Sequence, residues 1–263
     1  MKEKEIREAV RERYGSIAQR EGSCCSPSSS GSSCCGPAQE TSGVADSTSE
    51  AIGYSAEEMG SIPEGSNMGL GCGNPLAFTS LKEGDTVLDL GSGGGIDCFL
   101  AAKKVGEKGR VIGVDMTSPM IEKARENAER GGYSNVEFRL GELENLPVAD
   151  STVDLIISNC VINLSVNKKR VFEEAFRALK PGGTLMISDI VLLKALPEEI
   201  RKSMESYLAC ISGALQREEY LGVIRDAGFE EVRVEAEKDF DISDSEALGK
   251  TILSVSVSAR KPD

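Results

Sequence analysis

Thr86-Val-Leu-Asp-Leu-Gly-Ser-Gly-Gly-Gly-Ile-Asp97 is the stretch that decides the fold. A short apolar run with the length of a buried strand passes directly into a glycine cluster and then into a helical pattern, Asp97–Lys104. That order predicts a strand, a tight turn and a helix N-terminus whose free N–H groups face a ligand. The alternative is a strand-to-helix turn with no ligand. A dinucleotide fingerprint needs a further glycine at position 96, where this chain has Ile96.

Outward from this segment the texture repeats. Apolar runs at Val111–Val114, Val136–Leu140, Val153–Ile157 and Thr184–Ser188 alternate with helical patterns. Such alternation predicts βαβ units and an α/β, doubly wound, mostly parallel sheet. The helix Ser118–Arg130 opens on Ser-Pro and closes at Gly131-Gly132, and Pro181-Gly-Gly183 reads as a sharp turn into the fifth strand. Pro197–Ser212 and Gln216–Ala227 read as helices, and Val232, Val234 and Ile252–Val257 as a closing strand pair. Ile6, Val10, Tyr14 and Ile17 form the stripe of an amphipathic helix. The expected organisation is that helix over 1–21, a flexible Cys/Ser/Gly-rich arm over 22–50, and a loop segment over 51–80. A ligand-binding α/β domain follows over 81–192, and a small α+β portion over 193–263 completes the sheet.

Composition narrows the chemistry. The 263 residues carry 30 basic and 43 acidic side chains, a formal charge of −13, which argues against nucleic acid and anionic membrane surfaces as partners. With no apolar run of membrane-spanning length and a charged N-terminus, a cytoplasmic location and no stable membrane association are expected. The chain contains no histidine, which removes Ser-His-Asp chemistry and mixed Cys/His metal sites. It contains eight cysteines. In a cytosolic chain long enough to build a core these read as reactive or metal-binding thiols rather than staples.

Three segments carry the rest. Val111-Ile-Gly-Val-Asp115 sets a carboxylate at the end of the second strand, at a spacing from the glycines where ribose hydroxyls are held. Gly141-Glu142-Leu143 follows the third strand, and Ser158-Asn159-Cys160 the fourth. Together with the glycine loop, this set resembles the Rossmann-like class I S-adenosylmethionine-dependent methyltransferases. The resemblance implies that Asp89, Gly91, Ser92 and Gly93 hold the methionine and ribose portion, Asp115 and Met116 the ribose, and Glu142 and Leu143 the adenine. Asn159 joins these as a cofactor-binding candidate.

The surroundings of three cysteines sharpen the likeness. Gly69-Leu-Gly-Cys72-Gly-Asn-Pro75, Ser158-Asn-Cys160-Val-Ile-Asn-Leu164 and Ala209-Cys210-Ile-Ser-Gly-Ala-Leu215, with Arg13-Tyr-Gly-Ser-Ile-Ala18 near the start, resemble the arsenite methyltransferases over almost the whole chain. By that resemblance Cys72, Cys160 and Cys210 are the catalytic thiols that bind arsenite or methylarsenite, S-adenosyl-L-methionine is the methyl donor, and an external thiol of thioredoxin or glutathione type is the reductant. Trivalent arsenic is soft, so sulfur suits it where oxygen and nitrogen do not. Cys98, one turn into its helix, is expected to pack. Cys24-Cys25 and Cys34-Cys35 leave three readings open: a four-thiolate zinc site, an arm that captures arsenic, and an idle linker. The rival functions are a C-methyltransferase acting on a quinone or sterol-like substrate, and a non-catalytic soft-metal-binding protein; both leave part of the pattern unexplained.

Overall fold

A computed structural model of the chain describes residues 2–20, 41–240 and 251–263. The first helix, α1 (Glu3–Arg20), is followed by α2 (Thr41–Ala51) and α3 (Ala56–Gly60), then a 3₁₀ turn at Pro75–Phe78. The regular part runs β1 (Thr86–Leu90), α4 (Ile96–Val105), β2 (Arg110–Asp115), α5 (Ser118–Gly131), β3 (Val136–Leu140), β4 (Val153–Asn159), α6 (Lys168–Ala178) and β5 (Leu179–Leu192). It closes with α7 (Glu198–Arg201), α8 (Met204–Leu208), α9 (Arg217–Asp226), β6 (Glu230–Asp239) and β7 (Ile252–Arg260).

The strands form one sheet in the order β3-β2-β1-β4-β5-β7-β6. Pairing is parallel from β3 through β5, and β7 lies antiparallel to both of its neighbours. The expected doubly wound α/β class and the closing strand pair are therefore present. Side-chain alternation divides the core. Val87 and Val111 pack with Phe99 and Ile121 under α4 and α5, while Leu88, Leu90, Ile112 and Val114 pack with Phe172 and Ile224 under α6 and α9. Strand order reverses between β1 and β4, so a crevice opens at their carboxyl ends, the place where open α/β sheets bind ligands. A third apolar cluster caps this edge, joining Ile6 and Val10 of α1 to Tyr207, Ile211 and Ile252.

Four expectations need correction. The arm expected over 22–50 contains α2 from Thr41 onward; its cysteines Cys24, Cys25, Cys34 and Cys35 lie outside the described residues. The loop expected over 51–80 contains α3, announced by a capping box in which Ser55 and Glu58 satisfy each other's backbone N–H groups. The helix expected over Pro197–Ser212 is two short ones, because the Ser203 hydroxyl accepts from the Ser206 N–H at 3.2 Å and caps a new start. The fifth strand runs well beyond Thr184–Ser188, and Pro181-Gly-Gly183 is taken up as a register shift against β4 between Val153 and Leu155.

Glu174 of α6 fixes the segment after β3. Its side chain is 2% exposed and accepts from the Leu146 N–H at 2.9 Å, from Arg170 at 2.8 Å and from Arg177 at 2.7 Å. Arg170 and Arg177 keep 45% and 29% of their side chains exposed, so removal of the carboxylate leaves chiefly the buried Leu146 N–H without its partner. Glu174→Ala is expected to lower unfolding free energy by about 2 kcal/mol in urea titration, with the helical circular dichroism of the native state kept.

Candidate functional site: a cavity and a thiol cluster at the sheet edge

The glycine loop closes the floor of the crevice. Gly91 N–H and Ser92 N–H both donate to the Val114 carbonyl, at 2.8 and 3.1 Å, folding the loop over β2. Gly91 has φ +74°, and a Cβ there would lie 2.5 Å from a Val161 methyl, so both conformation and contact demand glycine. Asp115 at the end of β2 accepts from the Gly93 N–H at 3.1 Å and the Thr117 N–H at 2.9 Å. Burial raises its carboxyl, and those bonds lower it in part.

Above this floor lies a cavity of about 300 Å³, roofed by Val10, Tyr14 and Ile17 of α1. Asp89, Gly91, Ser92, Gly93, Asp115, Met116, Leu143, Asn159, Cys160 and Cys210 all line it, so the structure brings ten of the twelve expected residues to one space. Glu142 does not line it: its carboxylate is held by Arg7 and Arg11 of α1, which ties the roof to the segment after β3. Glu144, not singled out from the sequence, lines the cavity and binds Arg7 at 3.3 Å. The twelfth, Cys72, sits beside the cavity in the thiol cluster described below.

Two buried carboxylates face one another in the wall. Burial and then Asp97 push Asp89 well above the usual carboxylate range, while its own oxygen accepts from the Cys98 thiol at 3.2 Å. Cys98 thus packs in the wall, fully buried. Asp97 is pushed to about 6 by burial, held there by the Tyr54 hydroxyl at 2.7 Å. The hydroxyls of Ser66 and Ser92, both in the lining, are buried without a hydrogen-bond partner among the described residues. Acidic groups that need a cation and hydroxyls that need a polar guest fit a compound with a positive charge and a sugar-like polar body.

Asn159, last residue of β4, joins the cavity to the sulfur site. Its amide donates to Gly73 O at 2.7 Å and to the Tyr54 hydroxyl at 2.9 Å, and its oxygen accepts from the Cys72 N–H at 3.1 Å. The next residue, Cys160, has φ +55°, and Cys210 has φ +63°. Left-handed backbone is uncommon outside glycine and concentrates at functional sites. The Cys160 thiol is hydrogen-bonded to those of both Cys210 and Cys72, and the Cys210 sulfur also reaches the Cys160 carbonyl at 3.2 Å. Close docking of the Cys210 segment depends on Gly213, where a Cβ would lie 2.1 Å from the Asn163 carbonyl. Three sulfurs from distant parts of the chain therefore stand together.

A carboxylate completes the cluster. The Cys72 and Cys160 sulfurs and an Asp189 oxygen all lie within 4.8 Å of one another. Asp189 is fully buried and accepts from Asn163 at 2.8 Å, the Ile190 N–H at 2.9 Å and Tyr220 at 3.1 Å. Its signal in the sequence was an acid in the middle of the apolar run from Thr184 to Leu193. All three thiols are raised, so they are protonated at neutral pH. Burial dominates at Cys72; at Cys160 the bond from Cys210 lowers the thiol but is outweighed by the Cys72 bond and burial; at Cys210 the bond to Cys160 and then burial raise it.

With this geometry in view, the comparisons are specific. A methyltransferase domain family model matches residues 81–228, more than half the chain. The arsenite methyltransferase of Halobacterium salinarum is 46% identical over 98% of this chain, which covers 67% of that protein. The chain belongs to the arsenite methyltransferase family. It spans 54% of the Aquipseudomonas alcaligenes relative at 43% identity, and 44% of the human one at 41%. The crystal structure of an arsenic(III) S-adenosylmethionine methyltransferase from Chlamydomonas reinhardtii superposes with a TM-score of 0.67, at 35% identity, over 82% of this chain and 74% of that one.

The buried carboxylate of this family member yields a pH prediction. Burial pushes Asp189 to about 7, and the bonds from Ile190 and Tyr220 offset only part of that. The native state therefore keeps a proton that the unfolded chain releases between about pH 4 and 7, and stability falls as pH rises through that window. Asp189→Asn cannot titrate. Relative to the parent, it should gain about 3–4 kcal/mol of unfolding free energy from pH 4 to 7, measured by chemical denaturation at stepped pH. A constant difference between the two proteins would mean that Asp189 is ionised throughout.

Proposed function

We propose that the chain transfers a methyl group from S-adenosylmethionine to trivalent arsenic held by Cys72, Cys160 and Cys210. The observation that carries this is the thiol cluster at the wall of a cavity suited to that donor. When bound, S-adenosylmethionine supplies an electrophilic methyl group on a positively charged sulfur.

The chain's residues supply the setting. Capture of arsenous acid by three neutral thiols forms three As–S bonds, breaks three As–O bonds and releases three waters, so no net charge enters the buried site. That balance matches thiols kept protonated by burial. Three sulfurs leave the arsenic pyramidal, with its lone pair on the open side. The cavity is lined by Cys160 and Cys210 together with Asp89 and Asp97, so arsenic held by those sulfurs and a donor held by the acidic wall would share one space. No base is required to remove a proton from arsenic, in keeping with a chain that has no histidine. Positioning of this kind is worth roughly 7–11 kcal/mol in well-aligned systems.

Transfer leaves arsenic formally pentavalent. Two site thiols give up two electrons to it and close a disulfide, and an external thiol reductant opens that disulfide again. The quinone alternative rests on a weaker likeness: the ubiquinone/menaquinone biosynthesis C-methyltransferase of Hydrogenovibrio crunogenus is 34% identical over 43% of this chain. It gives the sulfur cluster no task.

Incubation with arsenite, a thiol and S-adenosylmethionine should yield methylated arsenic on speciation by chromatography and mass spectrometry. Binding without any methylated product would favour a sequestering protein. Cys160→Ser and Cys210→Ser should each cut methylation by at least about 100-fold, equivalent to about 2.7 kcal/mol, while calorimetric affinity for S-adenosylhomocysteine stays within threefold. A matching loss of that affinity would make these residues parts of the cavity wall instead of arsenic ligands.

A further inference from the structure

Cys72 stands between two recesses. Gly71, before it, lines the large cavity, and Gly73, after it, lines a separate groove of about 90 Å³ in whose wall Cys72 itself takes part. The far wall of the groove comes from the β6–β7 pair. Lys238 is in register with Ser254 and Ala236 with Ser256, and all four line it. Ser254 donates to the Cys72 carbonyl and also hydrogen-bonds the Cys72 thiol. At the rim, Phe78 is 45% exposed. Lys238 is exposed and has no ion pair among the described residues.

Neither recess shares the other's thiols: Cys160 and Cys210 line the cavity, and Cys72 lines the groove. A donor molecule filling the cavity would cover the first two sulfurs and leave the third with an approach of its own. The walls of that approach state what it takes. It is small, about 90 Å³; Cys72, whose thiol can exchange with sulfur, is part of its wall and hydrogen-bonded to the lining Ser254; and among the described residues Lys238 is the one lining cation without an ion pair, which favours an acid.

We infer that this groove is a second entrance to the arsenic site, through which a small carboxylate-bearing thiol carrying trivalent arsenic exchanges its cargo with Cys72. The inference rests on Cys72 as an arsenic ligand. In the exchange one As–S bond to the carrier breaks and one to Cys72 forms. The Cys72 proton passes to the departing carrier sulfur, and nothing is oxidised or reduced. Two further exchanges of the same kind, each breaking one remaining As–S or As–O bond and passing the thiol proton to the departing ligand, then bond arsenic to Cys160 and Cys210 from within, so loading does not require the methyl donor to leave.

Alkylation mapped by peptide mass spectrometry tests the entrance. The full chain is treated with iodoacetate or the neutral iodoacetamide, with and without saturating S-adenosylhomocysteine. Cys160 and Cys210 should be protected at least tenfold by the nucleoside, and Cys72 less than twofold. Lys238→Glu, at an exposed position, should slow iodoacetate at Cys72 about 5-fold and leave iodoacetamide unchanged, and Ala236→Trp should slow both. Loading of arsenic from its 3-mercaptopropionate adduct, followed by arsenic–sulfur absorbance, should show the same Lys238→Glu effect, with none for the 2-mercaptoethanol adduct. Protection of Cys72 in step with the other two, or indifference to Lys238→Glu, would overturn the entrance. Absence of methylated arsenic in the incubation above would overturn the enzymatic reading, and the alkylation pattern separates the two failures.

Discussion

The end of β4 is the constraint on which the site depends. Asn159 and Cys160 are neighbours in the chain, yet one side chain faces the cavity and the Cys72 loop while the other supplies the central sulfur. Left-handed backbone at Cys160 turns the chain sharply at the strand end, where continued extended backbone would set successive side chains on opposite faces of the sheet. Such a conformation in a residue with a Cβ costs on the order of 1–3 kcal/mol. Its surroundings offset that cost: the Cys160 N–H donates to the Ser188 carbonyl at 2.8 Å, and the rigid parallel pairing of β4 with β5 stands behind it. Cys210 meets the same condition from the other side, its N–H held by Tyr207 O at 2.9 Å.

Electrostatics divides the site into two halves. The half under α4 has two buried acids, Asp89 and Asp97, and draws a cation. The sulfur half is held near neutrality, with thiols protonated and Asp189, which burial raises to about 7, bonded by three donors and attracted by half-buried Lys168. A cationic donor and a neutral acceptor can then meet without either half paying for an isolated buried charge. Val10, Tyr14 and Ile17 of α1 cover the space between them, and the Arg7 and Arg11 contacts with Glu142 and Glu144 hold that roof in place.

Much of this was legible from residues alone. Strand-to-helix alternation marked the sheet, the glycine loop and Asp115 marked the cavity floor, and three unusual cysteine settings marked the sulfur cluster. What stayed hidden was long-range by nature. Glu142 looked like a cofactor contact because it follows β3, but two arginines 131 and 135 residues away claim it. Asp189 lies just beyond the expected strand end at Ser188, whereas the strand continues to Leu192 and carries the acid inward; an acid amid apolar neighbours is costly to bury without a reason. The break at Ser203 was a local cap competing with a helical stripe, and propensity cannot decide such contests without the neighbours that fix them.

Separate origins for the three sulfurs have a mechanical consequence. A pair of cysteines on one short loop would move together, whereas here Cys160 rides on the sheet, Cys210 on the end of α8 and Cys72 on a glycine-flanked loop. The sheet-borne sulfur is the fixed one, and it is the one in contact with both others. Asn159 ties the glycine-flanked loop to the sheet, and it does so with the same side chain that lines the cavity and bonds Tyr54, the partner of Asp97. Asp97, the Tyr54 hydroxyl, the Asn159 amide and the Cys72 loop are joined by hydrogen bonds of 2.7–3.1 Å, so one chain of polar contacts runs from the cavity wall to the backbone that carries the third sulfur.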